Sequence, residues 1–145
     1  MDPSHVYLTH TDTTIGFVSR DRTRLDAIKG RMAGKHYICA VDSLATLGTF
    51  TRVPPAHRNR LRRARKTTFV FPNGHSYRLI RDSRHSELIG RLTWAYTTSA
   101  NRSGEAYDEA WARAQADTVI EPLGGGVGIP SAILRLGRNR VHKLR

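Results

Sequence analysis

The chain has 145 residues, 39% of them hydrophobic and 25% charged, with 24 Lys and Arg against 12 Asp and Glu. That balance excludes a disordered tail and fits one core without metal or disulfide staples, so residues 1–145 are expected to form a single domain. One cysteine excludes an internal disulfide, no apolar run reaches the ~20 residues of a membrane-crossing helix, and "MDPSHVYLTH" is not a signal peptide. The expectation is a cytoplasmic protein without a membrane partner.

In chain order, "HVYLTH" predicts a first strand, and "TDTTIGF" (11–17) directly after it predicts hydroxyl groups beside an open helix N-terminus. "RTRLDAIKGRM" predicts a helix, with Leu25, Ile28 and Met32 on one face, a capping box from Thr23 to Asp26 and a stop at Gly30. "HYICAV" predicts a buried strand holding the Cys39 thiol, followed by a short helix "SLATLGTF". Pro54 and Pro55 open a basic helix, "AHRNRLRRARK", whose apolar stripe is only Leu61 and Ala64. "TTFVFP" and "SYRLIR" flank Asn73-Gly74, a two-residue hairpin signal.

Beyond it, "SRHSELIGRL" predicts a helix, "WAYTTS" a strand and "DEAWARAQ" a helix. "TVIEPL" and "SAILRLG" predict strands on either side of the loop "GGGVGIP", and "NRVHKLR" alternates as an edge strand does. Irregular alternation of strands and helices with one clear hairpin predicts a mixed α/β sheet.

The chemistry-bearing residues exclude more than they assert. "GGGVG" lacks the Lys-Ser/Thr of a P-loop, and seven histidines lie at no metal-site spacing. His10 and His85 are expected to be structural, and no nucleophile–base pair suggests covalent catalysis. Lys29 and Arg31 straddle Gly30 and, with Lys35, make a candidate polyphosphate clamp. Ser99 and Asn101, at the end of a strand, place two short hydrogen-bonding side chains on one side of the backbone. No carboxylate lies between Asp42 and Asp82, an interval rich in arginine, so this segment is expected to attract polyanions such as RNA and nucleotide phosphates.

Taken in order, these pieces resemble the YrdC-like family of threonylcarbamoyl-AMP synthases. "HTDTTIGF" is similar to that family's "PTDTVYGL", "KGR" to its Lys-x-Arg signature and "KTTFVFP" to its "GPVTFVF" strand. "RDSRH" is similar to the segment with its internal arginine, and "TSANRSG" to its Ser-x-Asn signature. "GIPSAILRL" and "HKLR" resemble its "xPSTIVDL" and "KILR". The chain departs from the pattern at His10, Met32 and Ala40, and it is shorter than most members.

The resemblance implies an open twisted α/β sheet of mixed parallel and antiparallel strands flanked by helices. It implies an enzyme that converts L-threonine, bicarbonate and ATP into threonylcarbamoyl-adenylate and pyrophosphate, with Mg2+ bridging the phosphates and no dedicated metal site. The product would pass to the tRNA threonylcarbamoyl-transfer machinery. By the same resemblance, Thr13, Arg81, Thr97 and Ser131 would contact threonine, and Lys29, Arg31, Lys35, Ser99, Asn101, Tyr107 and Arg145 would meet ATP. Lys29, Arg31, Ser99 and Asn101 would carry the catalytic step, and Arg145 would fold back onto the nucleotide. The alternative expectation is a noncatalytic tRNA- or double-stranded-RNA-binding protein of the same fold.

Overall fold

A computed structural model describes residues 1–30, 36–81, 83–124 and 128–145. The strands are β1 (Tyr7–His10), β2 (Ile15–Ser19), β3 (Ile38–Val41), β4 (Thr67–Val70), β5 (Ser76–Leu79), β6 (Trp94–Ser99), β7 (Thr118–Val119), β8 (Ala132–Leu136) and β9 (Val141–Lys143). The helices are α1 (Arg22–Lys29), α2 (Leu44–Phe50), α3 (Arg58–Arg63), α4 (Ser83–Leu92) and α5 (Glu109–Gln115). All nine strands join one sheet in the order β7-β1-β2-β6-β3-β5-β4-β8-β9. Three pairings are parallel (β1–β7, β3–β5, β4–β8) and the rest antiparallel, so the sheet is mixed as expected. Among the described residues no helix is long and apolar enough to cross a membrane.

Local chemistry explains most element ends. Asn73-Gly74 turns β4 into β5, with Gly74 at φ +84 and the Asn73 side chain accepting from His75 N at 2.9 Å. Gly30 ends α1 in the left-handed region at φ 68, and its N–H donates to Asp26 O.

Four expectations need correction. "TDTTIGF" does not lead into a helix: Ile15–Ser19 is fully buried on both faces and extends as β2, joined to β1 by the turn at residues 11–14. The cap of α1 is Asp21, one residue before the helix, whose carboxylate accepts from Arg24 N at 3.2 Å; Thr23 lies inside the first turn. The basic helix is shorter than its composition suggested, with a 3-10 turn at Pro55–His57 that buries His57 and then six α-helical residues that bury Leu61. "TVIEPL" contributes only the two residues of β7.

Alternation along the strands divides the sheet into two unlike faces. Leu8 and Phe17 meet Leu25 of α1 and Ala112 of α5, while Cys39, Val41, Tyr77 and Leu79 meet Leu47 of α2 and Leu61 of α3. The intervening residues Tyr7, Val18, Ala40 and Ala95 turn the other way and pack on Leu88, Ile89 and Leu92 of α4. Cys39 is 4% exposed, and burial pushes its thiol pKa up to about 12. One face thus carries four helices and the other only α4, among the described residues. The end of the second face beyond α4 has no helical cover.

At that end the backbones of β2 and β6 come unusually close. A Cβ on Gly16 would lie 2.8 Å from Thr98 O and 3.0 Å from Thr11 Cγ2. Gly16→Ala therefore forces backbone apart in the sheet centre. Urea unfolding should show a loss of about 1–3 kcal/mol, the cost of an overpacked core; an unchanged midpoint would refute this contact.

Candidate functional site

The uncovered end of the sheet holds a cavity of about 420 Å3, within the size range of small-molecule sites. Its floor comes from Gly16 of β2, Thr97 and Ser99 of β6, Ile38 of β3 and Arg78 of β5. Its walls are the turn at residues 11–14, His36 and Tyr37, and Pro130, Ser131 and Arg145.

The turn is built by one hydroxyl. Thr11 Oγ1 donates to Thr14 O at 2.6 Å and accepts from the backbone N–H of Thr13 and of Thr14, both at 3.2 Å. The Thr11 backbone closes the same loop, donating to Thr14 O at 2.9 Å. Gly128 seals the turn from outside: a Cβ there would lie 1.8 Å from Thr13 O, so no other residue fits without moving the chain.

This turn delivers Asp12 to Arg78, behind the cavity lining. Its carboxylate lies 3.3 Å from Arg78 Nη2, with the two side chains 3% and 5% exposed. Arg78 Nε is buried and, among the described residues, has no hydrogen-bond partner. Burial lowers the Arg78 pKa, Asp12 opposes that, and the nearby positive charge of Arg145 adds to the lowering. A guanidinium stays protonated even so, and the result is a buried cation only partly compensated at the base of a polar cavity. Such a site favours an entering anion.

Hydroxyls surround that cation. Thr97 and Ser131 are 3% and 2% exposed, and Thr13 is 9% exposed. Ser131 Oγ stands 2.9 Å from Thr68 Oγ1, and Arg145 reaches back to Ser131, with Nε donating to the backbone O at 2.9 Å. Arg145 is tied at its backbone too, donating from N to Ile133 O at 3.2 Å.

Lys29, Ser99 and Asn101 form a second network behind the first. Lys29 is 3% exposed, and its Nζ donates to Ser99 O at 2.8 Å and to Asn101 Oδ1 at 3.3 Å. Ser99 Oγ donates to Asn101 Oδ1 at 2.5 Å, and Asn101 Nδ2 donates to Arg102 O at 2.9 Å and Glu105 O at 2.7 Å. The Ser-x-Asn pair therefore organises the loop after β6 and accepts the buried ammonium of α1. Ser99 alone of the three also lines the cavity.

The expected site residues divide accordingly. Thr13, Thr97, Ser99, Ser131 and Arg145 line one cavity, with Lys29 and Asn101 bonded to its Ser99 wall. Arg81 does not join them: it is exposed, two residues past the end of β5, and Arg78 is the arginine that faces the cavity. Strand alternation is the reason, since Tyr77 and Leu79 enter the helix-covered core and turn Arg78 to the open face. Tyr107 also lies elsewhere, its ring against the α1–α5 core and its hydroxyl buried without a partner among the described residues, so that desolvation raises its pKa. Arg31 and Lys35 fall outside the described residues. Asp12, Arg78, His36 and Tyr37 were not singled out from sequence; the available signal was an arginine interrupting the apolar run "YRLI".

No protein-family model matches the chain, and no curated protein matches it in sequence. Solved structures do resemble it. P. abyssi Sua5 complexed with L-threonine superposes with a TM-score of 0.80 at 20% identity, covering 97% of this chain and 50% of that one. The MTH1692 protein of Methanobacterium thermoautotrophicum gives 0.67 at 23% identity, covering 97% and 79%. E. coli YciO gives 0.74 at 18% identity, covering 98% and 82%. The chain has the fold of these Sua5/YrdC proteins and spans about half the length of P. abyssi Sua5.

The buried pair sets a stability prediction. Asp12→Ala leaves the Arg78 charge without its carboxylate and should cost about 3–5 kcal/mol in urea unfolding. The double variant Asp12→Ala/Arg78→Met removes both charges and should recover much of that loss. Additive losses would mean that the two side chains are not coupled.

Proposed function

We propose that this cavity binds L-threonine through its carboxylate and that the chain is a threonylcarbamoyl-adenylate synthase. The observation that carries the reading is the incompletely compensated Arg78 guanidinium, buried beside the hydroxyls of Thr13, Thr97 and Ser131. A carboxylate would complete its charge pairing, and the hydroxyls offer partners for an ammonium or amine and for a side-chain hydroxyl. The reading gains support from the shared fold, since P. abyssi Sua5 is described in complex with L-threonine.

The chemistry needs positioning and charge more than a nucleophile from the protein. The threonine amine attacks bicarbonate, releasing water and giving an N-carboxylate. One oxygen of that carboxylate then attacks the α-phosphorus of ATP. The new O–P bond replaces the bond to the β-phosphate, and pyrophosphate leaves with its electron pair. In this proposal Arg78 fixes the amino acid, while Arg145 and Ser99 border the nucleotide side of the cavity. Lys29 and Asn101 would act as positioning residues, because the ammonium is already committed to Ser99 and Asn101. Among the described residues no three His, Cys, Asp or Glu side chains are grouped to hold a metal ion. An Mg2+ brought in with ATP would neutralise charge on the phosphates. The adenylate would be handed to a tRNA-directed threonylcarbamoyl transfer.

The test is pyrophosphate release from ATP that requires both threonine and bicarbonate. Release independent of threonine, or none from the folded protein, overturns the reading. Arg78→Lys keeps the charge but loses the planar fork, so the KM for threonine should rise by about tenfold or more while the KM for ATP changes less.

A further inference from the structure

The helix-covered face of the sheet holds a second cavity of about 400 Å3, also within the size range of small-molecule sites. Tyr37, Phe50, Tyr77 and Tyr96 line it around Cys39. Strand register explains its shape. Cys39 of β3 stands between Tyr96 of β6 and Tyr77 of β5, its direct partners on either side. Paired residues share a face of the sheet, so a row of tyrosine, cysteine and tyrosine crosses these strands on the helix side. Neighbouring strands lie ~4.8 Å apart, which separates the two tyrosine backbones by about 10 Å. The small thiol leaves a slot between them. Ring contacts run the long way round, from Tyr37 to Tyr96 at 6.4 Å, on to Trp94 at 5.3 Å, to Phe50 at 5.1 Å and to Tyr77 at 5.9 Å. Among the described residues no ring contact closes the row across Cys39.

We propose that this slot binds a flat, uncharged aromatic ring carrying a hydrogen-bond acceptor, inserted over Cys39 between Tyr77 and Tyr96. The proposal is independent of the threonine reading, since Tyr37 is the one residue that lines both cavities. A ring midway along the row would lie about 5 Å from each tyrosine, inside the ~4.5–7 Å range of aromatic pairs. Beneath it lies a polarisable sulfur, and burial pushes the Cys39 thiol up to about 12, so the floor carries no charge. Among the described residues no Lys, Arg, Asp or Glu lines the cavity. A charged ligand would therefore lose its hydration without gaining a partner. One rim offers a polar contact. The Tyr77 hydroxyl accepts from Asn73 Nδ2 at 3.3 Å, and burial raises its pKa, so its own proton stays available to an acceptor on the ligand. An aliphatic molecule of equal size would fill the volume but make no stacked or edge-to-face contact. Its walls are held from both sides: the Tyr37 hydroxyl donates to Asp26 Oδ1 of α1 at 2.7 Å, and Phe50 belongs to α2.

The experiment titrates the isotope-labelled chain with phenol and, separately, with cyclohexanol, and follows the backbone amide shifts by NMR. Cyclohexanol matches phenol in size and hydroxyl but is neither flat nor aromatic. Phenol should shift the amides of Cys39, Tyr77 and Tyr96 saturably and bind about fivefold or more tightly than cyclohexanol. Cys39→Leu fills the slot and should abolish the saturable shifts. Phe50→Leu removes a wall ring while leaving the slot open, and should weaken phenol by about twofold to tenfold with little change for cyclohexanol. If Cys39→Leu does not fold, Phe50→Leu and the cyclohexanol comparison decide the matter. The proposal falls if cyclohexanol binds as tightly as phenol, or if folded Cys39→Leu or Phe50→Leu binds phenol as the parent chain does. It also falls if the shifts never saturate, or if they centre on Thr13, Thr97 and Ser131, which would put the ring in the first cavity.

Discussion

The buried contact between Asp12 and Arg78 is the constraint around which the site is organised. Moving two charges out of water costs more than their mutual attraction returns unless geometry and further hydrogen bonds compensate. Geometry here comes from the Thr11 turn, which uses one hydroxyl to hold three backbone groups and so fixes the approach of Asp12. Gly128 then locks the turn, because its missing side chain lets the backbone sit on Thr13 O. Yet among the described residues Arg78 Nε has no hydrogen-bond partner, and Arg145 adds a second positive charge nearby. A purely structural pair would be expected to satisfy all of its donors, and this one leaves a donor over beside a polar cavity.

The sheet explains why there is a cavity at this end. Among the described residues four helices cover one face, and α4 alone covers part of the other. Sheet faces without helices must be polar or filled, and this end is lined mostly by polar side chains, among them Thr97, Ser99, Ser131 and Arg78, with Ile38 and Pro130 beside them. The glycine at position 16 lets the neighbouring backbone and threonines approach, which a side chain there would prevent. Site and fold therefore draw on the same residues. The polar ends of β2, β5 and β6 are too wet to be core and too enclosed to be surface.

Short-range signals in the sequence carried most of the architecture. Asn73-Gly74 and Gly30 demand backbone conformations that their residues adopt cheaply, so hairpin and helix end were legible. The tail "NRVHKLR" was legible as an edge strand, observed as Val141–Lys143. Misreadings arose where neighbours in space outweigh neighbours in sequence. "TTIGF" looks like the entry to a helix, but pairing with both β1 and β6 makes it a buried strand. Arg78 and Arg81 are equally plausible from sequence, and only the register of β5 beside β3 says which enters the cavity. The partnership of Lys29 with Ser99 and Asn101 spans about seventy positions, and no local pattern encodes it.

The contrast between inner and outer cations extends this logic. Lys29 and Arg78, both almost fully buried, each meet oxygen partners, because an unpaired buried charge would be prohibitive. Among the described residues the arginines of α3 and of the β8–β9 turn form no ion pair, and in water they need none. Nothing about stability therefore requires so many of them on one face, while like charges held side by side repel. Their concentration has a cost without a folding benefit. Strand β8 carries both regimes, with Ser131 at the hydroxyl-lined cavity before its start and Gly137 against the arginine helix after its end. The two ends of one strand thus separate an enclosed polar cavity from an exposed cationic surface.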